Sequence, residues 1–148
     1  MKILSQRDPL WCNTKLGASN LTIGRYGCTT TSISMLSDYF HCYASPNQIA
    51  AHKDWYTPAG LVIWPKLLFP NMRFVQCVPG RNETLINDSL KDPNKAVIFK
   101  VNNGEHFVVG YSKKLFGGYN VADPWPGKIV DVDSVYHNIV ASYHFVRQ

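Results

Sequence analysis

The sequence predicts an α+β domain in which N-terminal helices pack on a C-terminal antiparallel sheet. Two observations lead to this prediction. Apolar side chains recur at helical spacing in residues 29–41, and the last third of the chain has short runs rich in β-branched and aromatic residues. With 148 residues, 45% of them hydrophobic, the chain is long enough for one core. We therefore expect a single domain over residues 1–148.

The helical part is predicted to follow an irregular, glycine-containing stretch over residues 1–27. Cys28 lies at the N-terminus of the first helix. Ser45 as the cap and Pro46 as the first helical residue begin the second helix. Pro65 bends or stops the third helix. The predicted helices cover residues 29–41, 46–55, 59–67 and 82–90.

The predicted sheet is built from short runs that are separated by turn sequences such as NNG, KKLFGG and DPWPG. No helix of βαβ length lies between the later runs, so the pattern predicts antiparallel pairing. The predicted strands cover residues 72–78, 96–101, 106–111, 119–122, 128–132 and 142–146.

The charge composition narrows the classes of partner. Fifteen Lys and Arg against 10 Asp and Glu give a net charge of +5, which favours anionic surroundings such as nucleic acid, acidic lipid or bacterial wall polymer. The basic residues are scattered, with one pair at Lys113 and Lys114, so a nucleic-acid-binding tract is not expected. No stretch approaches the roughly 18 to 20 apolar residues of a membrane helix. We expect neither nucleic-acid binding nor membrane insertion.

The N-terminal stretch MKILSQRDPLW has an apolar run too short for a secretory signal. We therefore expect a protein that is made in the cytoplasm without a signal peptide. If it acts on the cell wall, we expect its release through a separate membrane lesion.

Cysteine is the residue type that first suggests chemistry. Cys12, Cys28, Cys42 and Cys77 form no CxxC pair and no zinc-finger spacing with histidine, so we expect no metal site and no cofactor. Two disulfides are possible by number, but free thiols are the expectation without a signal peptide. Cys28 differs from the others because Gly27 permits a tight turn directly before its helix. A helix N-terminus stabilises a thiolate, whereas an isolated cysteine there is otherwise a small core residue.

Three further residues complete a candidate catalytic set. His106 opens a predicted strand, and Asp123 ends the next one, so adjacent antiparallel strands can place them side by side. A carboxylate there would orient the imidazole of a general base. Gln6, with the backbone N–H of Cys28, can donate to a developing oxyanion. Taken singly, His106 is also an ordinary strand-end histidine, and Asp123 a turn residue before proline.

Together these pieces resemble a papain-like cysteine peptidase, and more narrowly the group related to the bacteriocin leader-processing peptidases. The matching segments are LSQRDPLW with Gln6, TIGRYGCTTTSISML with Cys28, HFVVGY with His106 and VADPWPG with Asp123. They extend over nearly the whole chain. The resemblance implies a papain-like fold and a Cys/His/Asp centre.

One departure concerns the substrate. The leader-processing peptidases are the N-terminal domain of a membrane exporter, and nothing in this chain resembles that exporter. LGASNLTIGRYGC is instead similar to stand-alone members from bacteria and phages, some of which act on peptidoglycan. The resemblance therefore implies an endolysin-type peptidase or amidase.

The expected function is thus thiol-dependent peptide-bond hydrolysis, with peptidoglycan as the partner. Trp125 and Trp11 are candidates to line the cleft, and core packing is the alternative for both. A protein or leader-peptide substrate remains the first alternative. An inactive papain-like binding or structural module is the second. The spacing does not exclude acyl transfer, including transglutaminase-like chemistry.

Overall fold

The C-terminal half of the chain forms one six-stranded antiparallel sheet in the computed structural model, which describes residues 1–148. The strands pair in the spatial order first, sixth, second, third, fourth and fifth. They are β1 (Met72–Pro79), β2 (Lys95–Val101), β3 (His106–Lys113), β4 (Tyr119–Asp123), β5 (Lys128–Asp131) and β6 (Ile139–Arg147).

Five α-helices cover this sheet from both sides. The helix Cys28–Tyr39 packs on β3, and the helix Glu83–Lys91, which follows β1 in the chain, packs on β2 and β3. The chain is therefore an α+β protein, as predicted. The helices are α1 (Ile23–Tyr26), α2 (Cys28–Tyr39), α3 (Pro46–Ala50), α4 (Glu83–Lys91) and α5 (Val132–Tyr136).

The alternation of side chains along β2 divides the interior into two cores. Ile98 points into the larger core, which α1, α2 and α3 cover, whereas Val97 and Phe99 point into a smaller core beneath α4 and α5. Because both faces of β2 are buried, its sequence is apolar almost throughout and lacks the polar alternation of a half-exposed strand. The sheet is thus the middle of three layers.

Small hydroxyl side chains allow α2 to lie in the centre of the larger core. Nine of its twelve residues are buried. Thr30 Oγ1 lies 2.7 Å from the Tyr56 hydroxyl, Ser34 donates to the carbonyl of Ala44 at 2.6 Å, and Ser37 donates to the carbonyl of Ser34 at 2.7 Å. These buried polar groups are paired, which removes most of the cost of burying them. The helix that begins with Cys28 is therefore held on several sides.

The strand predictions and the helices predicted over 29–41 and 82–90 are confirmed, with ends that differ by at most three residues. The helix predicted over 46–55 is partly wrong, because α3 ends at Ala50 and only a 3₁₀ turn, Lys53–Trp55, follows. The helix predicted over 59–67 is wrong. Gly60 has φ +85°, the backbone closes a turn between Thr57 and Leu61, and one 3₁₀ turn, Trp64–Lys66, forms.

None of the helices combines the length and the apolar character needed to cross a membrane.

Gly27 controls the junction between α1 and α2. A Cβ at this position would lie 2.6 Å from both the Cα and the carbonyl oxygen of Ile23, which are backbone atoms and cannot rotate away. Only glycine therefore lets α2 start directly after α1, with Cys28 as its first residue.

We expect Gly27→Ala to lower the free energy of unfolding by about 1–3 kcal/mol, the usual cost of overpacking. Urea unfolding monitored by circular dichroism measures it. Gly80→Ala is the control, because no atom lies within 4 Å of a Cβ there and only its φ of +75° is strained. A smaller loss for Gly27→Ala than for Gly80→Ala would contradict the steric argument.

Candidate active site

Cys28 occupies the first position of α2, directly after the turn at Gly27. Its side chain is buried, with 9% of the residue exposed. The first backbone N–H groups of a helix have no partner within it, and the helix dipole is positive at this end. Both effects favour a negatively charged sulfur at Cys28.

The sheet brings His106 and Asp123 together, as the sequence predicts. Val109 of β3 pairs with Ala122 of β4, so Asp123 lies opposite Val108, two residues along β3 from His106. Side chains two residues apart share a face of the sheet. His106 Nε2 lies 2.8 Å from Asp123 Oδ1.

The Asp123 carboxylate is almost completely buried, at 1% exposure, and three donors satisfy it. Oδ1 accepts from His106 and, at 2.9 Å, from the backbone N–H of Trp125. Oδ2 accepts from the hydroxyl of Tyr136, whose ring also packs against the imidazole with centroids 5.2 Å apart. Asp123 is therefore a fully hydrogen-bonded anion that fixes the orientation of His106.

The pKa values describe an ion pair between Cys28 and His106. Burial alone would raise the pKa of Cys28, but the hydrogen bond and the charge of His106 outweigh it and hold that pKa below its ordinary value. Burial alone would lower the pKa of His106, but hydrogen bonds to Asp123 and then to Cys28 raise it to about 9. Burial likewise opposes ionisation of Asp123, yet its donors, with His106 first, lower its pKa. The arrangement favours thiolate, imidazolium and carboxylate together.

Since Nε2 of His106 is engaged by Asp123, Nδ1 is the ring nitrogen left for the Cys28 sulfur.

Gln6 connects the segment before Cys28 with the turn after Asp123. It is 2% exposed, its backbone N–H donates to the carbonyl of Pro124 at 2.8 Å, and its Nε2 donates to the carbonyl of Gly24 at 3.3 Å. Gly24 lies four residues before Cys28, and Pro124 follows Asp123. The side-chain amide has a second N–H, so Gln6 retains a donor for an oxyanion.

The two tryptophan candidates have different environments. Trp125 is 45% exposed beside Asp123, and the Arg7 guanidinium lies 4.4 Å from its ring centroid while Arg7 Nε donates to its carbonyl at 2.9 Å. Trp11 is buried in the larger core, at 7% exposure, and donates to the carbonyl of Ser5. Trp125 is thus accessible to solvent beside Asp123, whereas Trp11 supports the N-terminal segment.

A groove of about 240 Å³ adjoins the site. Thr29 and Phe107, the residues that follow Cys28 and His106, belong to its wall. Trp64 and Tyr143 also line it and stack on each other, with ring centroids 4.3 Å apart. The aromatic-lined groove therefore lies next to Cys28 and His106, although neither side chain lines it.

The other cysteines and histidines lack such partners. All four cysteines are free thiols, and burial raises the pKa of Cys42. His144 lies between the hydroxyls of Ser89 and Ser142, at 2.9 and 2.8 Å, and burial lowers its pKa, so it is a hydrogen-bonded core residue. No group of three or more His, Cys, Asp or Glu side chains can hold a metal ion.

Tyr136 was not predicted from the sequence. It lies in the polar stretch between the last two strands, where the short helix α5 forms with Asp131 as its N-cap. The only local signal is that cap, since nothing in the sequence shows that this helix packs beside β4.

No known protein-family model matches the chain, and no curated protein or solved structure matches it either. The interpretation of the site therefore rests on its geometry and on the resemblance of its segments.

We expect iodoacetamide to alkylate Cys28 at pH 6, where ordinary thiols with a pKa near about 8.5 are protonated. His106→Asn should slow this reaction by more than about tenfold, because the partner that lowers the pKa is lost while burial remains. The difference should shrink as the pH rises above the thiol pKa of His106→Asn, which burial raises, because both proteins then carry the thiolate. Mass spectrometry of the Cys28 peptide measures the rate.

His41→Asn is the control for this experiment, because His41 is exposed and has φ +60°, which asparagine tolerates. Equal rates for wild type and His106→Asn at pH 6 would show that no ion pair exists.

We expect Tyr136→Phe to lower the free energy of unfolding by about 1–3 kcal/mol, because one oxygen of a buried carboxylate loses its donor. Urea unfolding at pH 7 measures this loss. Tyr111→Phe, at an exposed position of β3, should change nothing. A stability equal to wild type would mean that the hydroxyl does not hold Asp123.

Proposed function

We propose that the protein is a thiol-dependent peptide-bond hydrolase of the papain-like type. One observation carries the proposal: the Cys28 thiol at a helix N-terminus faces His106, and a buried carboxylate holds that imidazole at 2.8 Å. A papain-like fold is proposed on the same basis, since a helix that begins with the nucleophile packs on an antiparallel sheet that supplies the base and its orienting carboxylate.

The reaction follows from the charges. The Cys28 thiolate attacks the peptide carbonyl carbon, and His106 gives its proton to the leaving amine as the C–N bond breaks. The acyl group then forms a thioester with Cys28. Neutral His106 removes a proton from a water molecule that attacks this thioester, and the carboxylic acid product leaves as the thiolate returns. Asp123 keeps its charge throughout and holds the imidazole in position.

The negative charge on the carbonyl oxygen needs donors during both steps. The backbone N–H of Cys28 and the free N–H of Gln6 are the candidates, since the contacts of Gln6 place it between Gly24 and Pro124. A single donor of this kind typically contributes about 3 to 4 kcal/mol to transition-state stabilisation.

Bacterial peptidoglycan is the proposed substrate, cleaved in its stem peptides or cross-bridges. The net charge of +5 suits an anionic wall polymer, and the segment LGASNLTIGRYGC is similar to stand-alone members from bacteria and phages, some of which act on peptidoglycan. A protein or leader peptide is the second candidate, and the same catalytic residues would serve it.

Two other functions are less well supported. An inactive binding module would not need a buried carboxylate, an oriented imidazole and a thiol with a lowered pKa together. Acyl transfer uses the same thioester but requires an amine acceptor. Product release in water without any amine would exclude it.

The test compares wild-type protein with Cys28→Ala on outer-membrane-stripped bacterial cells and on purified peptidoglycan. We expect wild type alone to reduce turbidity and to release new amino groups without new reducing sugar ends. Cys77→Ala is the matched control, because Cys77 is an exposed free thiol on β1. Mass spectrometry of the fragments identifies the bond.

Full turnover by Cys28→Ala would overturn the mechanism. Cleavage of polypeptides but not of peptidoglycan, still dependent on Cys28, would retain the mechanism and replace the wall by a protein substrate. Circular dichroism of Cys28→Ala shows whether its fold is intact.

A further inference from the structure

The groove beside Cys28 contains one charged side chain, that of Lys100. Twelve residues line the groove, and none of them is acidic. Lys100 belongs to β2, pairs with Phe107 of β3, and extends its ammonium group to 5.8 Å from the centre of the Phe107 ring. It forms no salt bridge. The neighbouring acid in the chain, Glu105, is exposed and does not line the groove.

A second cation lies near the groove without lining it. The guanidinium of Arg25 lies 5.7 Å from the centre of the ring of Tyr26, which does line the groove. Arg25 has no acidic partner either. Unpaired cations at an aromatic-lined groove create a positive potential that an anionic ligand group can neutralise.

The size and lining of the groove limit what can enter it. Its volume of about 240 Å³ exceeds that of a cavity of about 150 Å³ that takes up benzene, so one amino-acid side chain fits. Trp64, Phe107 and Tyr143 offer aromatic surface to the apolar part of such a side chain. Lys100 offers an ammonium group to a carboxylate at its end.

We propose that this groove is a specificity site for an acidic peptide residue next to the scissile bond, with Lys100 as the residue that selects it. The inference rests on the proposed function and adds the chemical class of substrate. The carboxylate belongs either to a glutamate in an ordinary protein or to a γ-linked glutamate in a wall peptide, since both present the same group.

The experiment uses quenched fluorescent peptide libraries in which each position in turn is fixed as Glu or as its neutral isostere Gln. We expect wild type to cleave the Glu member at one position with a kcat/KM about fivefold higher, and the preference to shrink in high salt. Lys100→Met keeps the length of the side chain and should equalise the two substrates. Lys100→Arg should retain the preference.

Lys113→Met is the matched control, because Lys113 is an exposed lysine at the far end of β3 and does not line the groove. It should leave the Glu preference unchanged. A second pair of peptides, with α-linked and with γ-linked glutamate, distinguishes the two sources of the carboxylate.

The inference is overturned if wild type shows no Glu preference, or if Lys100→Met retains it, while cleavage still depends on Cys28. Absence of cleavage of the peptides and of purified peptidoglycan alike would overturn the proposed function instead. Binding of the Glu and Gln peptides to Cys28→Ala, measured by fluorescence anisotropy, then decides the inference independently. Equal affinities would reject it, and tighter Glu binding that Lys100→Met abolishes would support it.

Discussion

The buried carboxylate of Asp123 is the constraint on which the site depends. An unpaired charge at 1% exposure would be strongly destabilising, so the fold must bring donors to both of its oxygens. They come from three places: His106 of β3, the backbone at Trp125 after β4, and Tyr136 of α5. Satisfying one anion therefore fixes the relative positions of a strand, a turn and a helix, and the same contacts orient the imidazole of His106.

The three-layer arrangement explains why the site lies where it does. His106 and Asp123 share the sheet face that α4 and α5 cover, whereas Cys28 begins the helix on the opposite face. The two layers can meet only at an end of the strands. His106 opens β3 and Asp123 closes β4, so both lie at that end. A rigid, doubly covered sheet thus supplies the precision that a mobile loop would lack.

The sequence was sufficient to predict what local chemistry determines. The helical spacing over 29–41 and the short β-rich runs of the last third led to the α+β class. Gly27 before Cys28 and the strand ends at His106 and Asp123 led, with Gln6, to the candidate set that the structure brings together. Tertiary packing decided the rest. Residues 59–67, predicted as a helix, form turns instead. Tyr136 contacts Asp123 from the five-residue helix α5, which is too short to show helical periodicity in the sequence. In the sequence, nothing distinguishes Lys100 from the other scattered lysines. Only the folded structure shows that it lies on β2 and lines the groove.

The attachment of the N-terminal segment to the turn after Asp123 has a consequence for synthesis. Arg7 binds the carbonyl of Trp125 across a sequence separation of 118 residues, and Gln6 bonds to Pro124 beside it. A chain emerging from the ribosome contains Cys28 early, but His106, Asp123 and the contact of Gln6 with Pro124 can assemble around it only after β4 has been made. Unfinished chains therefore carry Cys28 without the partners that lower its pKa, so an ionised thiol at this position is a property of the nearly complete chain.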